Sequence, residues 1–402
     1  MLTQEANERL THVGPGTPMG NLLRRYWYPI ATVFELDTEP VQSVRLLGEN
    51  LALYRNEQGQ MGLVAERCPH RGASLVYGIP EDNGLRCPYH GWLYSTEGRC
   101  LEQPAEPASS TFHNRIRIPA YPVQEMGGLI WAYLGPQPAP LLPRYDCFVR
   151  RDLTRDIGIT KLPCNWLQAM ENSLDPVHTE YLHGHFSNYV QKRQGMPPAM
   201  AVRHHERIGF EVMDYGITKR RVLQGDAADA DGWKIGHPIL MPNILAVGMT
   251  TRPNIQIRVP IDDTNTLHYC YLGTVRDTEV DPLDAMTVHE IAWRHENGRF
   301  TVESTIGQDM MAWVSQGPIS DRTTERLGTT DKGVILYRSL LLEQIEKVER
   351  GEDPLGVVRD PAKNEMIRLN LEGPAHNAVG TPIEGRDRTP FSVNREMDLV
   401  RR

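Results

Sequence analysis

The tightest constraint in this chain is a pair of short clusters, Cys68-Pro69-His70 and Cys87-Pro88-Tyr89-His90, with sixteen residues between them. Each cluster brings together one thiol and one imidazole, and four such donors in two matched groups imply a bound metal. Pro69 and Pro88 stand between the ligands and Gly72 and Gly91 follow them, so each cluster reads as a turn and two loops close on one site like fingertips. The flanking sequence agrees. Short β-rich runs at 41–47, 51–55, 62–65 and 128–134 alternate with Gly, Asn and Pro signals, which predicts a small antiparallel domain around the clusters.

Two Cys and two His also suffice for a tetrahedral zinc site. The spacing argues against it, because a zinc finger groups both Cys in one pair and both His in another, whereas here each pair holds one of each. If the two thiolates go to one iron and the two imidazoles to the other, the result is a 2Fe-2S cluster of the Rieske type, with a reduction potential above that of an all-Cys cluster. Such a cluster relays one electron at a time and does no chemistry on a substrate. Cys100, Cys147, Cys164 and Cys270 lack histidine company and are expected to be small buried side chains; six cysteines in 402 residues are too few for a disulfide framework.

The rest of the chain is far longer than the first site needs, and its length predicts two domains. A run of prolines at 136, 138, 140 and 143 is the best linker, giving residues 1–150 as the first domain, 151–350 as the second and 351–402, rich in Pro, Gly and Arg, as a C-terminal arm. The second domain mixes helical spacing (166–181, broken by Pro176, and 334–348) with strand-like alternation at 255–259 and a β-rich stretch at 266–275, read as a half-buried sheet. A net charge of −8 without long runs of one sign gives no reason to expect nucleic acid. No segment has the apolar length of a membrane span and the first ten residues do not read as a signal peptide, so the expected location is the cytoplasm.

A second constellation lies in the second domain. His178 and His183 are five residues apart, a little over one helical turn, and are expected to share a face and a metal. Two His and one carboxylate on one face of an iron leave the other positions open, which is how non-haem Fe(II) enzymes admit O2 beside a substrate. Glu303, Asp309, Asp321 and Asp331 are the candidate carboxylates, and Asp309 is favoured because it follows Gln308 into an apolar, helix-like run where an unpaired charge is costly. Asp175 is placed to steer the His178 ring or to cap a helix, and Asn172 is expected close to the iron without being a firm ligand. His185 has no assigned role.

Taken in order, Cys68-x-His70, Cys87-x2-His90 and Asp175-x2-His178-x4-His183 resemble the α-subunits of Rieske non-haem iron oxygenases. The wording at 16–27 and 317–322 resembles the phthalate dioxygenase branch, and Cys164-Asn165-Trp166-Leu167-Gln168 with Gly184-His185-Phe186 is similar to dehydrodivanillate O-demethylases. The resemblance implies an α+β chain, an N-terminal antiparallel β Rieske domain followed by a helix-grip catalytic domain whose antiparallel sheet is flanked by helices. It implies one 2Fe-2S cluster on Cys68, His70, Cys87 and His90, and one mononuclear Fe(II) on His178, His183 and Asp309. It further implies a homotrimer in which Asp175 bridges the cluster of one subunit and the iron of the next.

On the same resemblance, electrons come from an NAD(P)H-dependent flavin and 2Fe-2S reductase, directly or through a ferredoxin. This chain has no dinucleotide fingerprint of its own. The expected reaction is O2-dependent O-demethylation of a methoxylated aromatic acid, with ring hydroxylation of an aromatic carboxylate as the alternative. A pure electron carrier is the non-enzyme alternative, and it leaves His178 and His183 unexplained. Lys219, Arg220, Arg221, Arg252 and Arg258 fall in the stretch expected to line the substrate pocket, where they either pair with carboxylates or form a solvated basic face.

Overall fold

The β-rich runs around the Cys/His clusters become two small antiparallel sheets. In one, Val41–Leu46, Glu49–Arg55, Met61–Ala65 and Ala120–Tyr121 pair in that order; in the other, Ile79–Glu81, Gly84–Arg86, Leu93–Tyr94 and Cys100–Glu102 do so. A third sheet joins Trp27–Thr32 to Leu129–Tyr133 and Val123–Met126. The structure is a computed structural model and describes residues 1–371 apart from 199, 200, 282 and 284.

The hairpin loop Leu47-Gly48 has positive φ at both positions, 49° and 80°, the two-residue form that matches the twist of its strands. Leu47 tolerates this because its side chain is fully buried and its N–H donates to the Pro260 carbonyl at 3.0 Å, while Gly48 donates to Ile261 at 2.9 Å. The tip of the small sheet is thereby fastened to the large one. The main core likewise runs from Tyr28, Leu53 and Trp131 to Trp166, Ile257 and Tyr337.

The large sheet has eight strands in the order His205–Met213, Gly216–Leu223, His237–Leu240, Ile244–Met249, Arg252–Asp262, Asn265–Val275, Leu153–Leu162 and Met286–Glu290. Neighbours are antiparallel except the last pair. The half-buried sheet expected from the alternation at 255–259 is corrected here: Arg252–Asp262 is buried on both faces. Ile255, Ile257, Tyr269 and Tyr271 share one face, which meets the N-terminal part, where the Tyr271 hydroxyl donates to the Gly127 carbonyl at 2.9 Å. Gln256, Arg258, His268 and Cys270 share the other, and the helix Thr305–Ser315 covers it with Trp313.

The helix Trp166–Ser173 starts at Asn165, whose side-chain oxygen accepts from Leu167 N–H at 3.0 Å, and it stops before Pro176, which cannot continue it. The chain then restarts as a π-helix, Thr179–Phe186, running into Ser187–Arg193. The long amphipathic segment becomes Lys332–Glu349 and ends at Gly351, with φ of 81°. Residues up to 371 return along Leu141–Tyr145, where Leu141 bridges Val358 and Tyr145 bridges Ile367. The remainder of the expected 351–402 arm, from 372 on, lies outside the described residues. Among the described residues no helix is long and apolar enough to cross a membrane. The α+β architecture is the expected one, a β-built N-terminal part and an antiparallel-rich sheet gripped by helices.

Candidate metal centres

The two Cys/His loops fold alike. Cys68 N–H donates to the Ala73 carbonyl at 2.9 Å and Gly72 N–H returns to the Cys68 carbonyl at 2.9 Å; Cys87 and Trp92, then Gly91 and Cys87, repeat both bonds at 2.8 and 3.0 Å. Gly72 and Gly91 close the turns at φ of 75° and 74°, a region side chains rarely adopt. The loops meet at their ligands: the His70 and His90 rings are 4.4 Å apart, and both thiols are buried beneath them.

This donor set fits a sulfur-bridged iron pair. Its sulfurs lie in an apolar floor of Leu75, Leu85 and Tyr94, and its imidazoles face outward, His70 exposed and His90 half-buried. Two residues that sequence reasoning missed support it. Trp92 stacks on His70 at 4.5 Å, and the Tyr94 hydroxyl is 3.2 Å from Cys68 Sγ. Only the closeness of Trp92 and Tyr94 to His90 in the chain hinted at either. Burial raises the Cys68 thiol above its ordinary value, against the pull of Tyr94. Cys100, Cys147, Cys164 and Cys270 are buried free thiols, as expected.

The second group is His178, His183 and Asp309, whose ligand atoms all lie within 4.8 Å of one another. Asp309 Oδ1 is 3.6 Å from His178 Nε2 and 3.2 Å from His183 Nε2. The pairing of the two histidines was anticipated, but the helix that achieves it was not. Five residues along an α-helix rotate a side chain about 140° off the first one's face, whereas the i→i+5 bonding of the π-helix brings the rings to 5.1 Å.

Each imidazole has its other nitrogen occupied, as metal-binding histidines do. His178 Nδ1–H donates to the main-chain carbonyl of Asp175 at 2.5 Å, and His183 Nδ1–H donates to the Gln308 side-chain oxygen at 3.0 Å. Gln308 is held in turn by its amide, which donates to the Val302 carbonyl at 2.9 Å. Both Nε2 lone pairs are left to converge on one point. Burial pushes His178 down to about 4 against the attraction of Asp309. Burial also acts to lower His183, yet Asp309 and Gln308 leave it raised. For Asp309 burial works upward, and His183, His178 and Arg258 outweigh it, so the carboxylate stays ionised. A buried carboxylate facing two imidazole lone pairs is a donor set made for a divalent cation.

Asn172 reaches this group through its amide, 3.4 Å from Asp309 Oδ1. The Asp175 carboxylate serves as a cap, accepting from Val177 N–H at 2.9 Å and His178 N–H at 3.4 Å, while its second oxygen is 3.8 Å from His178 Nδ1. The ring is therefore steered by the Asp175 backbone. The other carboxylates weighed for the site lie elsewhere: Glu303 pairs with His295, Asp321 caps Thr323, Asp331 binds Gly328 N–H. His185 is exposed. Of the basic residues expected to line a pocket, Arg220 turns to Glu211 and the Trp233 and Lys234 carbonyls, whereas Lys219, Arg221 and Arg258 are buried.

Comparison with known proteins agrees with this pair of centres. Residues 26–122 match the Rieske [2Fe-2S] domain, and residues 289–369 match the LigXa C-terminal domain like family. Over 374 residues the chain is 42% identical to the 5,5'-dehydrodivanillate O-demethylase oxygenase subunit of Sphingobium sp. (strain NBRC 103272 / SYK-6), covering 92% of this chain and 86% of that one. Over 398 residues it is 33% identical to the phthalate 4,5-dioxygenase oxygenase subunit of Pseudomonas putida, covering 89% of each. In fold it resembles NdmA of Pseudomonas putida CBB5, with a TM-score of 0.61, 21% identity and coverage of 92% of this chain and 99% of that one. It also resembles the oxygenase in the oxygenase–ferredoxin complex of carbazole 1,9a-dioxygenase, with a TM-score of 0.62, 20% identity and coverage of 90% and 98%.

Proposed function

From the premise that this chain belongs to the oxygenase subunits of the Rieske non-haem iron oxygenases, we propose that it O-demethylates a methoxylated aromatic acid. Members of this class are oxidoreductases that hold a Rieske 2Fe-2S cluster and a mononuclear iron and draw electrons from a separate reductase. The observation that carries the reading is the convergence of His178, His183 and Asp309 in a chain 42% identical to an O-demethylase oxygenase subunit.

In this reading Cys68, His70, Cys87 and His90 hold the cluster, and His178, His183 and Asp309 hold the iron. When bound, the two metals supply stored electrons and a place where O2 is activated beside the substrate. The protein supplies position. Gln308 and the Asp175 carbonyl fix the imidazole tautomers, and the Asn172 amide donates to Asp309 Oδ1. Hydroxylation of the methoxy carbon gives a hemiacetal, which collapses to a phenol and formaldehyde.

The 33% identity to a phthalate 4,5-dioxygenase oxygenase subunit favours a second reading, ring hydroxylation of an aromatic carboxylate. The two are separated by following oxygen uptake with methoxylated and unmethoxylated aromatic acids while assaying formaldehyde. Formaldehyde in proportion to oxygen supports demethylation; oxygen consumed with a hydroxylated ring and no formaldehyde replaces it with hydroxylation.

The proposed working form is a cytoplasmic homotrimer fed by an NAD(P)H-dependent flavin and 2Fe-2S reductase or an intervening ferredoxin. Asp175 then carries the electron path from the cluster of one subunit to the iron of the next, its side chain partly exposed at 30%. The proposed division of the chain is 1–150 for the cluster, 151–350 for the iron and 351–402 for the arm.

A further inference from the structure

The π-helix Thr179–Phe186 buries three of its eight residues, Glu180, His183 and Gly184. His183 belongs to the triad and is fastened to the helix Thr305–Ser315 through Gln308. The other two meet a different element, a strap at 202–205 that leads into the strand His205–Met213.

Glu180 lies between the two histidines in the chain, yet its carboxylate is not part of the group formed by His178, His183 and Asp309. It is 5% exposed, and both of its oxygens turn to the strap. Oε1 lies 2.9 Å from His204 Nδ1, while Oε2 accepts from His205 N–H at 3.2 Å with His205 Nδ1 at 3.4 Å. One turn further on, Gly184 lets Val202 close on the same face, since a Cβ there would stand 3.1 and 3.3 Å from the two Val202 methyl groups. The strap is itself fixed from behind. Arg203 donates to the Gln224 carbonyl at 2.8 and 3.0 Å and pairs with Asp226, and the His204 carbonyl accepts from Gln224 N–H at 2.8 Å.

A π-helix is rare and short, and it persists where its surroundings outweigh the preference for i→i+4 bonding. Here the surroundings grip it on two sides, at His183 from the helix and at Glu180 and Gly184 from the strap. The cost of losing that grip is specific. In an α-helix five residues carry a side chain about 140° round the axis, so the 5.1 Å approach of the His178 and His183 rings would be lost. A buried carboxylate is costly unless its oxygens have donors, so Glu180 and the strap hold one another in place.

We infer that Glu180 is a positioning residue for the iron site: by binding the strap at His204 and His205 it keeps Thr179–Phe186 in π register, and that register sets His178 and His183 against one metal. This deepens the reading above and rests on its iron site, not on the choice between demethylation and ring hydroxylation.

The test compares Glu180→Leu, Glu180→Gln and His204→Ala in the full-length holoenzyme under anaerobic conditions. Backbone amide exchange at 182–187 is followed after chelation has removed mononuclear iron and left the cluster. Iron affinity is then measured by chelator competition, and the paramagnetic resonance of the ferrous nitrosyl adduct is recorded with iron in excess. Glu180→Leu should speed the exchange and weaken iron binding, each on the order of tenfold or more, and change the shape of the nitrosyl signal, with the cluster's visible spectrum constant. Glu180→Gln keeps an oxygen for His205 N–H, so its signal should match wild type and both rates and affinity should stay within about threefold. His204→Ala alters a side chain that is 68% exposed. It should act in the same direction by less, and should add nothing in Glu180→Leu, where the contact is already gone.

Unchanged exchange and an unchanged nitrosyl signal in Glu180→Leu, or equal losses in Glu180→Leu and Glu180→Gln, overturn the inference. If Glu180→Leu does not fold, His204→Ala decides alone, and wild-type exchange with a wild-type signal overturns the clasp. The iron reading fails separately. Wild type that takes up no mononuclear iron removes the metal from the triad, while exchange in the metal-free protein still decides whether Glu180 holds the register.

Discussion

His183 Nδ1 lies 3.0 Å from the side-chain oxygen of Gln308, the residue that immediately precedes Asp309. One helical step thus delivers both a candidate ligand and the group that fixes another ligand's tautomer. Gln308→Leu leaves the Nδ1–H without a buried acceptor and frees the ring to turn or change tautomer. The expected result is about a 10- to 100-fold loss of mononuclear iron affinity, measured by competition with a chelator while the cluster's visible spectrum stays constant. Gln308→Glu, which keeps an acceptor at the same place, should retain most of the affinity.

The Tyr94 hydroxyl beside Cys68 Sγ acts at the other centre. Hydrogen bonds to cluster sulfurs stabilise the reduced state and raise its potential. Tyr94→Phe removes that bond without opening a large cavity, so the cluster should assemble normally and titrate at a lower potential. Spectroelectrochemistry reads the shift; an unchanged midpoint would mean that the hydroxyl does not donate to the sulfur.

What the sequence made legible follows from how local each signal is. The four candidate cluster donors sit inside two turns punctuated by Pro and Gly, so short-range spacing singles them out and the fold has only to bring two loops together. Asp309 comes from a helix far along the chain from His183, and spacing alone left three rivals open. The Gln308-Asp309 pair in an apolar run marks the carboxylate that the structure sets against His178 and His183, but read for charge alone it does not reveal the amide. The π-helix was invisible because the sequence carries no mark that separates i→i+5 from i→i+4 bonding. The polar residues alternating with Ile255 and Ile257 suggested a wet sheet face; only the covering helix Thr305–Ser315 shows Arg258 to be buried.

Asp175 joins two functions in one side chain, a cap for the turn into the π-helix and a charge near His178. Asp175→Asn keeps an oxygen able to accept from Val177 N–H, so the turn and both metals should remain. Only the charge is lost. If the carboxylate carries the path between centres, single-turnover experiments with pre-reduced cluster should show electron transfer slowed by at least about tenfold, a barrier increase of about 1.4 kcal/mol. Retained rates with intact metals would remove Asp175 from the path.

Glu171, the residue before Asn172, is clamped between two guanidinium groups. Its Oε1 accepts from Arg322 Nε at 2.9 Å and Arg338 Nε at 2.6 Å, and its Oε2 accepts from Arg322 at 2.6 Å, all in the interior. Burial alone would raise its carboxyl, but Arg322 and Arg338 hold it below the ordinary range. A depressed folded value means that this stability is complete above the unfolded carboxyl's value, near 4.3, and fades as pH falls through the folded one. Glu171→Gln leaves the buried Arg322 short of its anion, while Arg338 keeps Glu325 at 2.6 and 2.7 Å, and should cost about 3–5 kcal/mol at pH 7 in denaturant melts. The gap between wild type and variant should narrow only below about pH 4. Because the same helical turn carries the Asn172 amide that lies against Asp309, the variant should also release mononuclear iron more readily than cluster iron.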